Sequence, residues 1–475
     1  MMTARETWMD VDLRELAQRG PIHFVGIGGA GMSAIAELVL RSGGRVTGCD
    51  ANPGAAAKAL AAMGADVVRG HDPVHVNDAV AVIVTAALPA DHPELAAARA
   101  RGIPVLKRAQ ALGALVNRGT LVAVAGTHGK TTTTAMTAAI LGEAALDPTS
   151  FVGGTVTAWG SGLRAGSSSL FVVEADEYDR SFFTLRPQIV VLTSVEPDHL
   201  DVYGTAAAVD EAFRTFVKLV PEDGLVAGCI DDDGARRVLA QTGARALGYG
   251  TSDSAMLRAV RIQAEGRATR FVVRDGPSEL GTLEVGAPGL HNVRNALGAF
   301  AAARRVGADF EAARRALAAF TGVERRLQEL GTAHGVTILD DYAHHPTEIA
   351  ASISACRTAY AGRPLIAAFQ PHLFTRTRDF AVEFGQALSR ADQVWVTDVY
   401  PARESPIEGV NGALIARAVE RAGAAVHYVP DLDRLEASLH ERLRPGDVCL
   451  LMGAGDIDRA AHSLLGRLRT QETRP

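Results

Sequence analysis

The residues of this chain best suited to chemistry lie in the run Gly126-Thr127-His128-Gly129-Lys130-Thr131-Thr132. Two glycines turn the chain tightly, and a lysine followed by threonines opens a helical pattern. Unpaired N–H groups in a first helical turn, reinforced by the helix dipole, attract an anion. Lys130 would set a point charge beside β- and γ-phosphates, and Thr131 a hydroxyl for Mg²⁺. The run reads as a shortened triphosphate cradle, because the first glycine of the longer P-loop would fall at Val124. A plain strand-to-helix turn with a surface lysine is the competing reading.

Carboxylates and a histidine stand where they would serve such a cradle. Glu174-Ala175-Asp176-Glu177-Tyr178-Asp179 follows one apolar run and Glu196-Pro197-Asp198-His199-Leu200-Asp201 the next. Acids at the ends of hydrophobic strands beside a phosphate loop suit a hard cation. Glu174, on the strand tip, is assigned to magnesium, whereas Asp176 and Asp179 individually read as a solvated acidic loop. His199 is either a second metal ligand or a loop histidine with local partners.

Particular elements must hold these groups. Leu121 to Ala125, Leu170 to Val173 and Gln188 to Thr193 read as buried strands; Met136 and Ile140, four apart, mark one face of the helix after the loop. The Gly- and Ser-rich stretch 160–169 reads as a surface excursion. His291-Asn292-Val293-Arg294-Asn295 opens an alanine-rich helix with both asparagines on one face, although Asn292 alone also fits an N-cap.

A second glycine loop precedes the first. Pro21 to Val25 forms a strand running into Gly26-Ile27-Gly28-Gly29-Ala30-Gly31, then a helix to Ser42, a strand to Cys49 and the acid Asp50. Strand, loop, helix, strand and acid in that order make a diphosphate site whose acid meets ribose hydroxyls. Any nucleoside diphosphate fits, so the pattern does not establish NAD. Thr85, ending the strand Ala81 to Ala86, either lines the crevice of that sheet or only terminates the strand.

Composition bounds the rest. At 475 residues the chain is too long for one core, and three domains are expected. A net charge of −6 offers no basic excess for nucleic acid or a membrane surface, which leaves small molecules as partners. Cys49, Cys229, Cys356 and Cys449 form no Cys-x-x-Cys pair, so neither a zinc knuckle nor a disulfide framework is indicated. Residues 1–10 hold no apolar leader, and no run long enough to cross a membrane follows. A cytoplasmic protein, monomer or homodimer, is expected.

The motifs at 126–132, 174–179 and 196–199, followed by Gly289-Leu290-His291-Asn292-Val293-Arg294-Asn295 and by residues 340–348 (Asp-Asp-Tyr-Ala-His-His-Pro-Thr-Glu), stand in an order that resembles the Mur ligases and folylpolyglutamate synthetases. With Gly26–Ser33 and Gln370–Arg378 the likeness runs from about residue 20 to 456 and is to the alanine-adding branch of the Mur ligases. It implies ATP-dependent ligation of L-alanine to the carboxylate of UDP-N-acetylmuramate through an acyl phosphate, in peptidoglycan precursor synthesis.

The α/β fold expected has three mainly parallel sheets: a Rossmann-like domain over 1–118 for the UDP-substrate, a P-loop ATPase-like domain over 119–324, and a Rossmann-like domain over 325–475 for the amino acid. By the resemblance Gly126, Thr127, His128, Gly129, Lys130, Thr131, Thr132, Asn292, Asn295, Arg326 and Asp341 bind ATP. Thr131, Glu174 and His199 hold Mg²⁺. Gly28, Gly29, Ala30, Gly31, Asp50 and Thr85 take the UDP-substrate, and His372 and Arg376 the amino acid. Lys130, His199 and His344 are the catalytic candidates, either histidine serving as base for the amine. Three rivals stand beside this reading: a murein-tripeptide ligase of cell-wall recycling, a dinucleotide-dependent oxidoreductase, and a nucleotide switch without catalysis.

Overall fold

The computed structural model describes residues 8, 11–85, 88, 89, 91–243 and 246–472. Most of the leader reading over residues 1–10, and Ala86, lie outside them. The chain gathers into two compact units, one of residues 1–260, 273–281 and 294–317, the other of 261–272, 282–293 and 318–475. Among the described residues no helix is long and apolar enough to cross a membrane.

The first unit opens with five short strands, β1 (Ile22–Val25), β2 (Val46–Asp50), β3 (Asp66–Arg69), β4 (Ala81–Val84) and β5 (Val105–Lys107), in the order β3-β2-β1-β4-β5. Every pairing is parallel. The order reverses at β1 and β4, where an open α/β sheet leaves a crevice at its carboxyl ends. Gly26–Gly31 follows β1 and Thr85 follows β4, so the fold brings both predicted segments to that crevice.

A second sheet runs through β6 (Thr120–Ala125), β7 (Thr149–Val156), β8 (Ser161–Arg164), β9 (Leu170–Glu174), β10 (Ile189–Leu192), β11 (Leu225–Cys229), β12 (Ala246–Gly250), β13 (Leu257–Glu265), β14 (Ala268–Asp275) and β15 (Ser278–Val285). Its order is β15-β14-β13-β12-β11-β10-β6-β9-β7-β8. Residues Leu121 to Ala125 are buried on both faces, as a central parallel strand requires. The tips of β9 and β10 therefore flank the loop after β6. One apolar core, from Phe24 and Leu115 to Phe182 and Phe213, serves the five-stranded sheet and the first-unit strands of the second. The stretch 160–169 is not the surface excursion expected: Ser161–Arg164 turns back as β8, antiparallel to β7.

In the second unit lie β16 (Gln328–Ala333), β17 (Val336–Asp341), β18 (Leu365–Phe369), β19 (Gln393–Val396), β20 (Val426–Tyr428) and β21 (Val448–Met452), ordered β16-β17-β21-β18-β19-β20. All pairings are parallel but that of β16 with β17. Helix Pro346–Ala359 starts with proline in its first turn. Asn292 is not an N-cap. It is the third residue of helix Leu290–Arg305, and its Nδ2 donates to the Pro288 carbonyl at 2.8 Å.

Candidate nucleotide and substrate sites

The loop after β6 needs its glycines. Gly126 and Gly129 sit at φ 134° and 79°, which other residues enter at a cost. A Cβ on Gly126 would lie 2.1 Å from Thr193 Oγ1, and one on Gly129 2.6 Å from Asn295 Oδ1. The close approach of Asn295 places one of the two predicted asparagines against the phosphate loop. Helix Lys130–Glu143 begins with no side-chain cap, and its first-turn amides face the loop mouth.

Lys130 folds back over its own loop. Its Nζ donates to the carbonyls of Gly126 at 2.6 Å and Thr127 at 3.2 Å, and to Glu177 Oε1 at 2.9 Å. Burial works against its charge, but the carboxylates of Glu177, Asp176 and Glu174 outweigh burial and raise its pKa. Burial pushes Glu177 up to about 7, with Lys130 pulling it down and Asp176 pushing the same way as burial. Glu177 is the residue sequence reading passed over: it was one acid among four in a loop, and only the fold turns it onto Lys130.

Thr131 Oγ1 donates to Glu174 Oε1 at 3.0 Å, and the Gly153 amide donates to Glu174 Oε2 at 2.6 Å. A Cβ on Gly153 would meet that carboxylate at 2.6 Å, which explains a glycine inside β7. His199, held at φ 52°, sets Nε2 3.9 Å from Glu177 Oε1 and 3.9 Å from Asp198 Oδ2. Thr131 is thus joined to Glu174, and His199 approaches Glu177, with both carboxylates acting on Lys130. Thr131 Oγ1, the Glu174 carboxylate and Glu177 Oε2, which is buried and lacks a hydrogen-bond partner, are hard oxygen donors of the kind a divalent cation takes. Thr127 and His128 are tied to the next strand tip: the Glu196 amide donates to Thr127 Oγ1 at 2.9 Å and the His128 amide to Ser194 Oγ at 2.9 Å.

The earlier glycine loop is closed differently. The Gly28 amide donates to Asp50 Oδ2 at 3.0 Å, and a Cβ on Gly28 would lie 2.9 Å from the same oxygen. Beside Gly31 lies the guanidinium of Arg108, which also comes within 3.9 Å of Asp176. Arg108 carries no motif signal, and its role follows only from the packing of helix Arg108–Val116.

The second unit gathers its own cluster at the carboxyl ends of β17, β18 and β21. Burial pushes Asp340 and Asp341 up to about 6; Arg325 opposes this at Asp340, and at Asp341 the Ser352 hydroxyl does, donating at 2.6 Å. His344 lies 6.0 Å, ring to ring, from His372, which stacks on Tyr400 and approaches Arg376 Nη1 at 3.4 Å. Arg326 covers the ring of Tyr342 and reaches Glu348 at 3.9 Å. His345 caps its helix instead, accepting from the Thr347 amide at 3.4 Å, which leaves His344 as the histidine facing His372.

Comparison with known proteins matches three successive family models: the Mur ligase family catalytic domain over residues 21–120, the Mur ligase middle domain over 124–303, and the Mur ligase glutamate ligase domain over 325–455. The chain is 48% identical over 465 residues to the UDP-N-acetylmuramate--L-alanine ligase of Renibacterium salmoninarum, covering 97% of this chain and 98% of that one. Its fold resembles the crystal structure of the UDP-N-acetylmuramate-alanine ligase of Thermotoga maritima (TM-score 0.80, 28% identity, 95% and 100% covered). It also resembles a murein peptide ligase of Psychrobacter arcticus (TM-score 0.67, 26% identity, 95% and 99% covered). With its glycine loops, strand-tip acids and three sheets accounted for in one likeness that runs almost end to end, the chain belongs to the Mur ligase family.

Proposed function

We propose that the chain joins L-alanine to the lactyl carboxylate of UDP-N-acetylmuramate, cleaving ATP to ADP and phosphate. The observation that carries this reading is the near-full-length likeness to L-alanine ligases, in a chain whose phosphate loop keeps Lys130 within reach of an anion. We divide the chain into a UDP-substrate domain over 1–118, an ATP domain over 119–324 and an amino-acid domain over 325–475. This division is supported by one sheet in each and by the boundaries of the three family matches.

A carboxylate has no leaving group at neutral pH, so its oxygen must first be joined to the γ-phosphorus. Lys130 leaves Glu177 for the phosphate and holds the charge that builds there, the largest contribution in phosphoryl transfer. Thr131, Glu174 and His199 would hold Mg²⁺, which supplies charge neutralisation between two anions when bound. Gly28 to Gly31 and Asp50 take the diphosphate and ribose of the sugar nucleotide, with Thr85 lining the crevice. Asn292, Asn295, Arg326 and Asp341 serve ATP; His372 and Arg376 take the amino acid's carboxylate; His344 or His199 accepts the proton of the attacking amine.

The test follows atoms. With both lactyl carboxylate oxygens labelled by ¹⁸O, one label should appear in inorganic phosphate for each amide formed. Unlabelled phosphate accompanied by amide would exclude the acyl phosphate, and no ADP with L-alanine but turnover with a tripeptide would transfer the chain to the recycling branch.

A further inference from the structure

We propose that the sheet of β1–β5 carries a structural transition-metal site, of the class Zn²⁺ occupies, with His23, Cys49, His75 and Glu94 as its ligands. One potential ligand atom from each lies within 4.8 Å of every other. Glu94 is the centre, fully buried at the start of helix Pro93–Ala100. Its Oε1 lies 2.7 Å from His75 Nδ1, 3.2 Å from Cys49 Sγ and 3.9 Å from His23 Nε2. Ligand atoms held in a tetrahedron about zinc stand about 3.3–3.8 Å apart at the usual bond lengths. Small movements toward a shared centre would therefore complete the site.

Two observations separate this cluster from an ordinary buried ion pair. First, His23 is 1% exposed, and its Nε2 is buried without a hydrogen-bond partner while aimed at the carboxylate. Its other nitrogen, Nδ1, stands 2.9 Å from Thr47 Oγ1. With the proton on Nδ1, Nε2 presents a lone pair, oriented as a second partner orients a metal-bound imidazole. Second, the carboxylate has more imidazoles than it can use. His71 Nδ1 and the unpartnered, buried His92 Nδ1 lie 3.2 and 3.7 Å from its other oxygen. One protonated histidine would balance Glu94; four imidazoles and a thiol about one carboxylate are a ligand set in excess of that need.

The donors also select the ion. A thiolate and imidazoles with one carboxylate favour a borderline-soft divalent metal over Mg²⁺ or Ca²⁺. Binding would form a sulfur–metal bond and release the thiol proton to solvent, so that thiolate and carboxylate together neutralise the two positive charges. His71 and His75, with side chains 28% and 19% exposed, mark the way in. The site would fix more than itself. Cys49 immediately precedes Asp50, and its carbonyl accepts from the amides of Gly26 at 2.8 Å and Ile27 at 3.1 Å. The metal would thus staple β2 under the first glycine loop, a role independent of the reaction assigned to the chain.

Cobalt substitution tests this in the full chain. Protein stripped with chelator and titrated with Co²⁺ should bind one ion with the visible bands of tetrahedral cobalt and a thiolate-to-cobalt charge-transfer band. Zn²⁺ should displace it and raise the melting temperature. Cys49→Ser should abolish the charge-transfer band, Glu94→Gln should weaken cobalt at least about 100-fold, and Thr47→Val, acting only through His23, about 10-fold. Should a buried variant fail to fold, His75→Ala, nearer the surface, is expected to lose the tetrahedral spectrum. Absence of a thiolate band in the parent protein, or its survival in Cys49→Ser, would overturn the proposal and leave the cluster as a histidine-balanced buried glutamate.

Discussion

The two glycine loops of the first unit are built on the same plan and closed by opposite charges. After β1 the loop amide of Gly28 is taken by Asp50, an acid fixed on the neighbouring strand. After β6 the loop carbonyls of Gly126 and Thr127 are taken by Lys130, a cation at the end of a flexible stem. A fixed carboxylate suits a diol that must be recognised and left unchanged. A cation whose present partners a phosphate can replace suits charge that appears during a reaction. The strand-loop-helix frame alone therefore says only that phosphate binds; what closes the loop says whether it reacts.

Removing Lys130 is expected to have the largest effect. Lys130→Ala should lower kcat by about 10²- to 10³-fold or more. It should also destabilise the fold above about pH 7, where Glu177 would lose its partner as a carboxylate, and much less below, where the buried acid takes up a proton instead. Adding Glu177→Gln should restore the melting temperature and none of the turnover. A double variant that regained activity would mean that the lysine serves only to neutralise its neighbour.

Next comes Gly28→Val, which should weaken the UDP-substrate by about 10-fold or more while leaving ATP analogues within about twofold, measured by calorimetry. Gly28 does not have a left-handed backbone, so the fault would be contact with Asp50 and exclusion of the diphosphate. Equal loss of both ligands would erase the distinction between the loops. Smaller again, Glu174→Gln and His199→Ala should each raise by several-fold the Mg²⁺ needed for half-maximal rate. Unchanged titrations in both would detach the strand tips from the metal.

How much of this was legible follows from what each contact depends on. Gly126 to Thr131 and Gly26 to Asp50 announce themselves because a tight turn and a helix start are local, and a few neighbouring residues determine them. The position of Glu174 beside the loop was legible because it ends an apolar run, and its carboxylate accepts from Thr131 Oγ1. That of Glu177 was not: the kink at Asp179 and Arg180, both at positive φ, swings the 3₁₀ segment that follows it, and no periodicity encodes that. The hairpin through β8 was missed because its glycines and serines outweigh its short strand pattern. The cluster about Glu94 is the extreme case. Its ligands come from β1, β2, the turn at Pro73–Val76 and a helix start, so no spacing rule for metal sites applies, and a cysteine count alone argued against one.

The subtlest test of the comparison concerns Glu177 itself, the group that holds the reactive loop closed without ligand. Burial raises it to about 7 from an ordinary 4.5, so between those values the folded chain binds more protons than the unfolded one. Stability must then fall as pH rises through that window. The contribution is full below about pH 4.5, is lost by about pH 7, and amounts to about 3 kcal/mol at most. Glu177→Gln, which keeps the size and removes the charge, should flatten the dependence of melting temperature on pH over that range. The same charge bears on ATP. Above pH 7 an incoming phosphate must draw Lys130 from a carboxylate, and below it from a neutral acid that holds the lysine less firmly. The KM for ATP should therefore drop a few-fold from pH 8 to pH 6 in the parent chain, whereas in Glu177→Gln it should be low and level throughout. A parent-like slope in the variant would assign the titration to another group and leave Lys130 positioned by its loop carbonyls alone.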